Sequence, residues 1–227
     1  MDRQTEETLR QLAERLRPAD FDETLTTITT AAVELLPHVD YASLTVRHRD
    51  GTVRSYATTD EILVDLDRIQ DELQEGPCYY AITESPHVIS RDLRVDPRFP
   101  RFGQAAAEVG ILSQAGLRLF RHSEAVAALD LYSRRTDAFE DLTTLDRLFA
   151  HQAATALDYA RELDNLHEAL KTRTLIGQAV GILMERYDIE DQQAFAFLTR
   201  LSSTQHVKLR QLAEEIVTDR SAEAPGR

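Results

Sequence analysis

One residue in this chain has nucleophilic chemistry at neutral pH. It is Cys78, the single cysteine among 227 residues. It follows Gly76-Pro77 and stands where a short helix would open, a position at which the helix dipole lowers a thiol pKa. A lone thiol supports neither an intrachain disulfide nor a multi-cysteine metal site. It fits a small residue packed at a turn, or a single-thiol redox sensor. His48, His87, His122, His151, His167 and His206 are scattered, with no pair at the i, i+4 or i, i+2 spacing of a metal site. No serine sits in a nucleophile-elbow sequence, and no glycine-rich loop follows a strand. The expectation is therefore no catalysis, no metal and no cofactor. A second concentration of chemistry is the loop Arg91-Asp92-Leu93-Arg94-Val95-Asp96-Pro97-Arg98-Phe99-Pro100-Arg101. Its guanidinium groups suit an anionic small molecule, and its carboxylates suit internal ion pairs. Cys78, Arg98 and Phe99 are the candidate pocket residues.

The elements that must position these groups show in the period of the apolar residues. Residues 1–17 carry Leu9, Leu12, Ala13 and Leu16 on one stripe and stop at Pro18. Residues 20–36 keep a helical period through Phe21, Leu25, Ile28, Ala32 and Leu35 until Pro37. Residues 41–47 then alternate, Asp50-Gly51 follows, and 53–58 run on, which reads as a β-hairpin. Residues 60–73 return to a helical pattern. Residues 87–91, 112–120 and 125–133 are β-like, the last two joined by a short polar turn. A short helix over 99–110 ends at Gly110. This order predicts an α+β fold with an antiparallel sheet.

Three helical patterns close the chain. They are Ile176, Ala179, Val180, Leu183, Met184 and Tyr187, then Ala194, Phe197, Leu198 and Leu201, then Leu209, Leu212, Ala213, Ile216 and Val217. Ile176, Leu183, Phe197 and Leu212 are expected in the core, with Asp188 and Thr204 as N-caps. Between sheet and bundle, Leu142, Phe149, Ala156, Leu163 and Leu170 recur at intervals of seven. Leu145, Tyr159 and Leu166 fall three residues after members of that series. This heptad-like seam, with no Pro or Gly over 139–176, predicts one long helix and a homodimer formed through it. If the first half of the seam packs on the sheet, only the rest meets a partner.

Composition narrows the partners. The net charge is −13, with 42% apolar and 29% charged residues, the profile of a soluble globular chain without the basic face of a generic nucleic-acid binder. The apolar runs fall short of the about 20 residues a membrane span needs. The start, MDRQTEETLRQLAERLR, lacks the apolar core of a signal peptide. A cytoplasmic location without membrane contact is expected.

The phrase TRTLIGQAVGILMERYDI…QQAFAFLTRLS…VKLRQLAEEIV closely resembles the ANTAR domain. That resemblance implies a three-helix bundle that binds RNA hairpins in nascent transcripts and regulates termination. Arg173, Gln178, Arg186, Arg200, Ser202, Lys208 and Arg210 match polar positions of the family pattern and are the implied RNA-binding residues. Hairpin loops are read through splayed bases that stack and hydrogen-bond, and Arg can do both. The chain departs from the pattern at Val180, where many members carry Lys, and at His206, where many carry Asn. The segment QEGPCYYAI…SPHVISRDLRVDPRFPRF…DAFEDLTTLDRLFAHQAATALDYA resembles a GAF domain of the kind that precedes ANTAR domains in actinobacteria. It implies a central antiparallel sheet with helices on one side, ligand-binding loops on the other, and a sensory role with an unspecified small-molecule ligand. Some GAF proteins reduce methionine sulfoxide, a chemistry that needs further cysteines.

The expected organisation is residues 1–160 as a GAF sensor with an N-terminal helix, 161–220 as the ANTAR bundle, and 221–227 as a disordered tail. A long helix joins the antiparallel-sheet domain to the all-α bundle. The expected function is RNA-binding transcription antitermination, a signal passing from the sensor through a coiled-coil helix to binding of a two-hairpin leader RNA. The alternatives are a ligand-binding or scaffolding GAF module without RNA binding, or a helix-turn-helix DNA-binding regulator. The latter is opposed by the lack of a basic recognition helix, so duplex DNA is not an expected partner.

Overall fold

The strand sequence AVAALDLYS explains the centre of the architecture. Ala127, Leu129 and Leu131 are buried in one apolar layer, and the intervening Ala128 and Tyr132 in another. A strand buried on both faces reads as a nearly continuous apolar run rather than an alternation. In the computed structural model, which describes residues 3–16, 20–121, 125–139 and 144–223, the chain divides into two units, Met1–Glu162 and Leu163–Arg227.

The first unit contains α1 (Arg3–Arg15), α2 (Phe21–Leu35), β1 (Tyr41–His48), β2 (Val53–Tyr56), α3 (Ile62–Leu73), α4 (Pro77–Thr83), β3 (His87–Ser90), α5 (Pro100–Glu108), β4 (Ser113–Arg121), β5 (Ala125–Ser133) and the first part of α6 (Thr144–Tyr187). The strands form one antiparallel sheet in the order β2-β1-β5-β4-β3. The fold is α+β, as the order of patterns predicts. The pairing of β1 with β5, with Leu44 opposite Leu129, joins distant segments and has no local signature. The expected alternation in 41–47 is not present, because Ala42 through Val46 are all buried. Helices also cover both faces of the sheet rather than one. Residues of α1, α2 and α6 pack on the first layer, and those of α3, α4 and α5 on the second.

The local reasons are specific. Asp20 caps α2 by accepting from the Glu23 amide at 2.8 Å. Glu75 holds the start of α5, its carboxylate accepting the Arg101 and Phe102 amides at 2.9 and 3.2 Å. Gly76 has φ 123° and leaves no room for a Cβ against the Gln70 side chain, so the turn into α4 requires glycine.

In α6, Phe149, Ala150, Ala153 and Leu157 lie in the first apolar layer, a stripe at helical spacing that fixes the helix on the sheet. The expected seam divides accordingly. Leu142 lies outside the described residues. Phe149 is fully buried in the unit's own core and Ala156 is partly buried, whereas Leu166 and Leu170 are more than half exposed.

The second unit contains the rest of α6 with α7 (Asp191–Gln205) and α8 (Leu209–Glu223). Its core is Ala179, Leu183, Ala194, Leu198, Leu212 and Ala213. Three local expectations are corrected. Asp188 is not an N-cap but a left-handed residue, φ 51°, after α6. Glu190 caps α7 instead, in a capping box in which Glu190 N–H donates to Gln193 Oε1 at 3.2 Å. Thr204 lies inside the last turn of α7, and left-handed His206 ends that helix. Phe197, expected in the core, is 45% exposed and packs on Tyr187, ring centroids 5.9 Å apart. Of the expected tail, 221–223 fall within α8 and 224–227 lie outside the described residues. Among the described residues, no helix is long and apolar enough to cross a membrane.

Candidate functional site

The centre of the second layer is polar. Asp130 is the single charge in β5, and it points away from the layer that takes Leu129 and Leu131. The helix α3 presents Leu63, Leu66, Asp67 and Gln70 on one buried stripe. Folding brings these groups under α4, where Cys78 lies. Thr45 Oγ1 donates to Asp130 Oδ2 at 2.8 Å, and the Tyr132 hydroxyl donates to Asp67 Oδ1. Gln70 Nε2 donates to the Tyr132 oxygen at 3.3 Å. Gln70 Oε1 accepts from the Cys78 amide at 3.1 Å and from Gln114 Nε2 at 3.3 Å.

Burial pushes both carboxyls above the ordinary range. Asp130 rises further because Asp67 lies close, while the Tyr132 hydroxyl opposes the rise at Asp67. Burial also pushes the Tyr132 phenol and the Cys78 thiol well up, with the two carboxyls adding to the effect. Asp67 also interacts with the Ser43 and Ser55 hydroxyls and Asp130 with the Cys78 thiol, while Gln114 Oε1 is buried without a hydrogen-bond partner. The cluster therefore presents buried acceptors and shared protons in the second layer.

Of the three expected pocket residues, Arg98 and Phe99 meet, and Cys78 lies in the polar layer. Cys78 is buried in this polar layer, and desolvation there outweighs the helix-dipole lowering expected from its position. Phe99 is fully buried beside Tyr80, ring centroids 5.0 Å apart. Arg98 is exposed, lies over the Phe99 ring at 4.8 Å and is paired with Asp96 at 2.6 Å. Arg94 pairs with Asp92 at 2.7 Å and Arg91 with Asp137 at 2.9 Å. Asp67, Gln70, Asp130 and Tyr132 escape a search for reactive residue types. The signal available for two of them was a charge inside an apolar pattern, Asp130 in a strand run and Asp67 on a helix stripe.

In the second unit, the implied RNA-binding residues have different surroundings. Arg173, Gln178, Arg186, Arg200, Lys208 and Arg210 are exposed. At about 100° per residue, Arg173 stands roughly 140° around α6 from both Gln178 and Arg186. These three occupy two faces. Arg210 donates to Glu168 at 2.8 Å, and Lys171 donates to the same carboxylate at 3.1 Å. Ser202 is partly buried, and its hydroxyl donates to the Val207 carbonyl at 2.6 Å, which ties α7 to the turn. Arg173, Arg200 and Lys208 enter no ion pair among the described residues. Arg173 borders an open, largely apolar groove of about 480 Å³ with Glu168, Ala169, Thr172, Ile176 and Phe195. Phe195 is 48% exposed.

A five-stranded antiparallel sheet with a polar cluster under short helices, followed by a three-helix unit, defines a two-domain protein. Residues 18–158 match the GAF domain model and residues 164–217 the ANTAR domain model. The chain belongs to the GAF family, and its GAF domain is followed by an ANTAR domain. No curated protein matches the sequence. Among solved structures it is similar to the LuxR-family transcription factor CepR2 of Burkholderia cenocepacia, which depends on N-acylhomoserine lactone. The identity is 16%, with 69% of this chain and 96% of that one covered, and the TM-score is 0.55. It is also similar to the GAF domain of a phosphoenolpyruvate-protein phosphotransferase from Coxiella burnetii, at 17% identity, 71% and 97% coverage and TM-score 0.52. A third similarity is to the free methionine-R-sulfoxide reductase of Neisseria meningitidis, at 13% identity, 72% and 95% coverage and TM-score 0.51. At these identities the likeness concerns the fold.

Proposed function

We propose that this protein is a non-enzymatic regulator that binds hairpin RNA through its ANTAR domain and acts as a transcription antiterminator under control of its GAF domain. The observation that carries the RNA reading is the apolar groove in which unpaired Arg173 stands beside exposed Phe195. An unstacked loop base would lie on the Phe195 ring, and the guanidinium would hold the neighbouring phosphate or stack on the base. The cations of the unit are few, so affinity rests on such base contacts and on two copies of the chain engaging two hairpins. The exposed Leu166 and Leu170 with Leu163 form the dimer seam in this reading. The signal in this reading is a small molecule bound by the GAF domain. The buried, desolvated thiol of Cys78 supports a structural role and no catalysis.

The test is a gel-shift series with one-hairpin, two-hairpin and loop-substituted leader RNAs, and with duplex DNA of equal length. Tight binding to the two-hairpin RNA, weakened by loop substitution and by Phe195→Ala, is the expected result. Equal affinity for every RNA and for the duplex would overturn the reading.

A further inference from the structure

The first unit holds a separate recess on the other face of the sheet, away from the polar layer. It is a cavity of about 290 Å³ between β4 and α6 at the edge strand β3. Arg147, Ala150, His151 and Ala154 line one wall. They stand at i, i+3, i+4 and i+7, so a single face of α6 looks into the space. The two alanines account for the opening, since larger side chains there would close on the sheet. Leu117 and Leu119, alternate residues of β4, form the apolar floor. His87 pairs in register with Leu117 and stands at the rim.

The charge of this recess is opposite to that of the chain. The protein has 39 acidic residues against 26 Lys and Arg, yet among the described residues no carboxylate lines the cavity. Arg147, His87 and His151 enter no ion pair among the described residues. Arg118 runs beneath the floor, its Nε donating to the Ala81 carbonyl at 2.7 Å and its Nη2 buried without an acceptor. Arg118 thus adds a guanidinium beside the recess that enters no ion pair among the described residues.

We propose that this cavity binds a small organic anion with a compact apolar body, of the aryl or short-chain carboxylate class. Arg147 engages the carboxylate with its planar fork, and the His87 and His151 rings offer N–H donors at the rim. Leu117, Leu119, Ala150 and Ala154 receive the apolar body. The volume lies near the lower end of small-molecule pockets, which run from about 300 Å³ upward, and this limits the ligand to about one ring. The site depends on neither the polar layer nor the RNA reading. Its occupant fills space against α6, the helix that continues in sequence into the ANTAR domain.

The experiment titrates the full chain with sodium benzoate, benzyl alcohol and inorganic phosphate, following amide shifts by NMR. Benzoate should saturate and shift residues 87, 117–119 and 147–154. Benzyl alcohol, without the charge, and phosphate, without the ring, should each bind at least about tenfold more weakly. Arg147→Ala and Ala154→Leu should each weaken benzoate at least about tenfold at unchanged melting temperature, and Arg94→Ala, in the loop pairs, should not. Were Ala154→Leu to unfold the unit, exposed Arg147 still decides the matter. Benzoate shifts that fall elsewhere, equal binding of benzyl alcohol, or undiminished binding to Arg147→Ala would overturn the proposal.

Discussion

Asp130 is a carboxyl held where a carboxylate is disfavoured. Its folded pKa lies above the unfolded value because of burial and of Asp67. The folded state therefore holds a proton that the unfolded chain releases near pH 4. The stability linked to that proton is fully present below the unfolded pKa and is lost as pH rises through the folded one. Wild-type stability, followed by the urea midpoint, should thus fall from pH 5 toward pH 8. Asp130→Asn can still accept from Thr45 and carries no charge, so it should flatten that fall. An unchanged slope would show that the carboxyl stays ionised in the folded protein. Cys78 belongs to the same cluster, and its thiol is both covered and poorly ionised. Native protein at pH 8 should react with a thiol reagent such as DTNB roughly 100-fold or more slowly than denatured protein, since reaction awaits local opening. Comparable rates would place the thiol at the surface.

Along α6, one helix serves two different surroundings. Phe149 fills the sensor core, and its replacement by Ala should cost about 3–5 kcal/mol of sensor stability, read by denaturant unfolding. Leu163 is partly buried and lies on the seam that continues into exposed Leu166 and Leu170. Leu163→Glu should leave the sensor melting temperature nearly unchanged while light scattering reports monomers. A dimer that survives Leu163→Glu would mean that the seam packs within one chain. In α7, Glu190→Ala removes the side chain of a capping box and should destabilise the bundle by about 1 kcal/mol in thermal melts.

Over the whole molecule, a net charge of −13 opposes non-specific attraction to nucleic acid. In the proposed RNA-binding role, recognition falls to Arg173, Arg200 and Lys208, which enter no ion pair among the described residues. Each phosphate contact contributes about 0.7 to the slope of log affinity against log salt on single strands. A shallow slope is expected, and Lys208→Ala should reduce it by about one contact's share while the preference for loop sequence stays. A steep slope that no single substitution reduces would point to diffuse charge attraction instead.

The sequence alone determined the succession of elements and the two-domain organisation. Apolar periods are local, Pro18 and Pro37 are local stops, and the residues of the ANTAR phrase stand close together in the chain. For the 91–101 loop the sequence left an anion pocket and internal ion pairs both open, and the structure shows pairs, mostly between near neighbours. The sheet order, the helices on both faces and the polar cluster needed the tertiary structure. Asp67, Cys78 and Asp130 meet only because β1 pairs with β5 and α3 and α4 fold over that seam. The reversal at Cys78 has the same origin. A helix start predicts a lowered thiol pKa, but desolvation depends on what covers the residue, which no local pattern contains. The seam in α6 likewise has one spacing and two environments, and only packing against the sheet separates buried Phe149 from exposed Leu170.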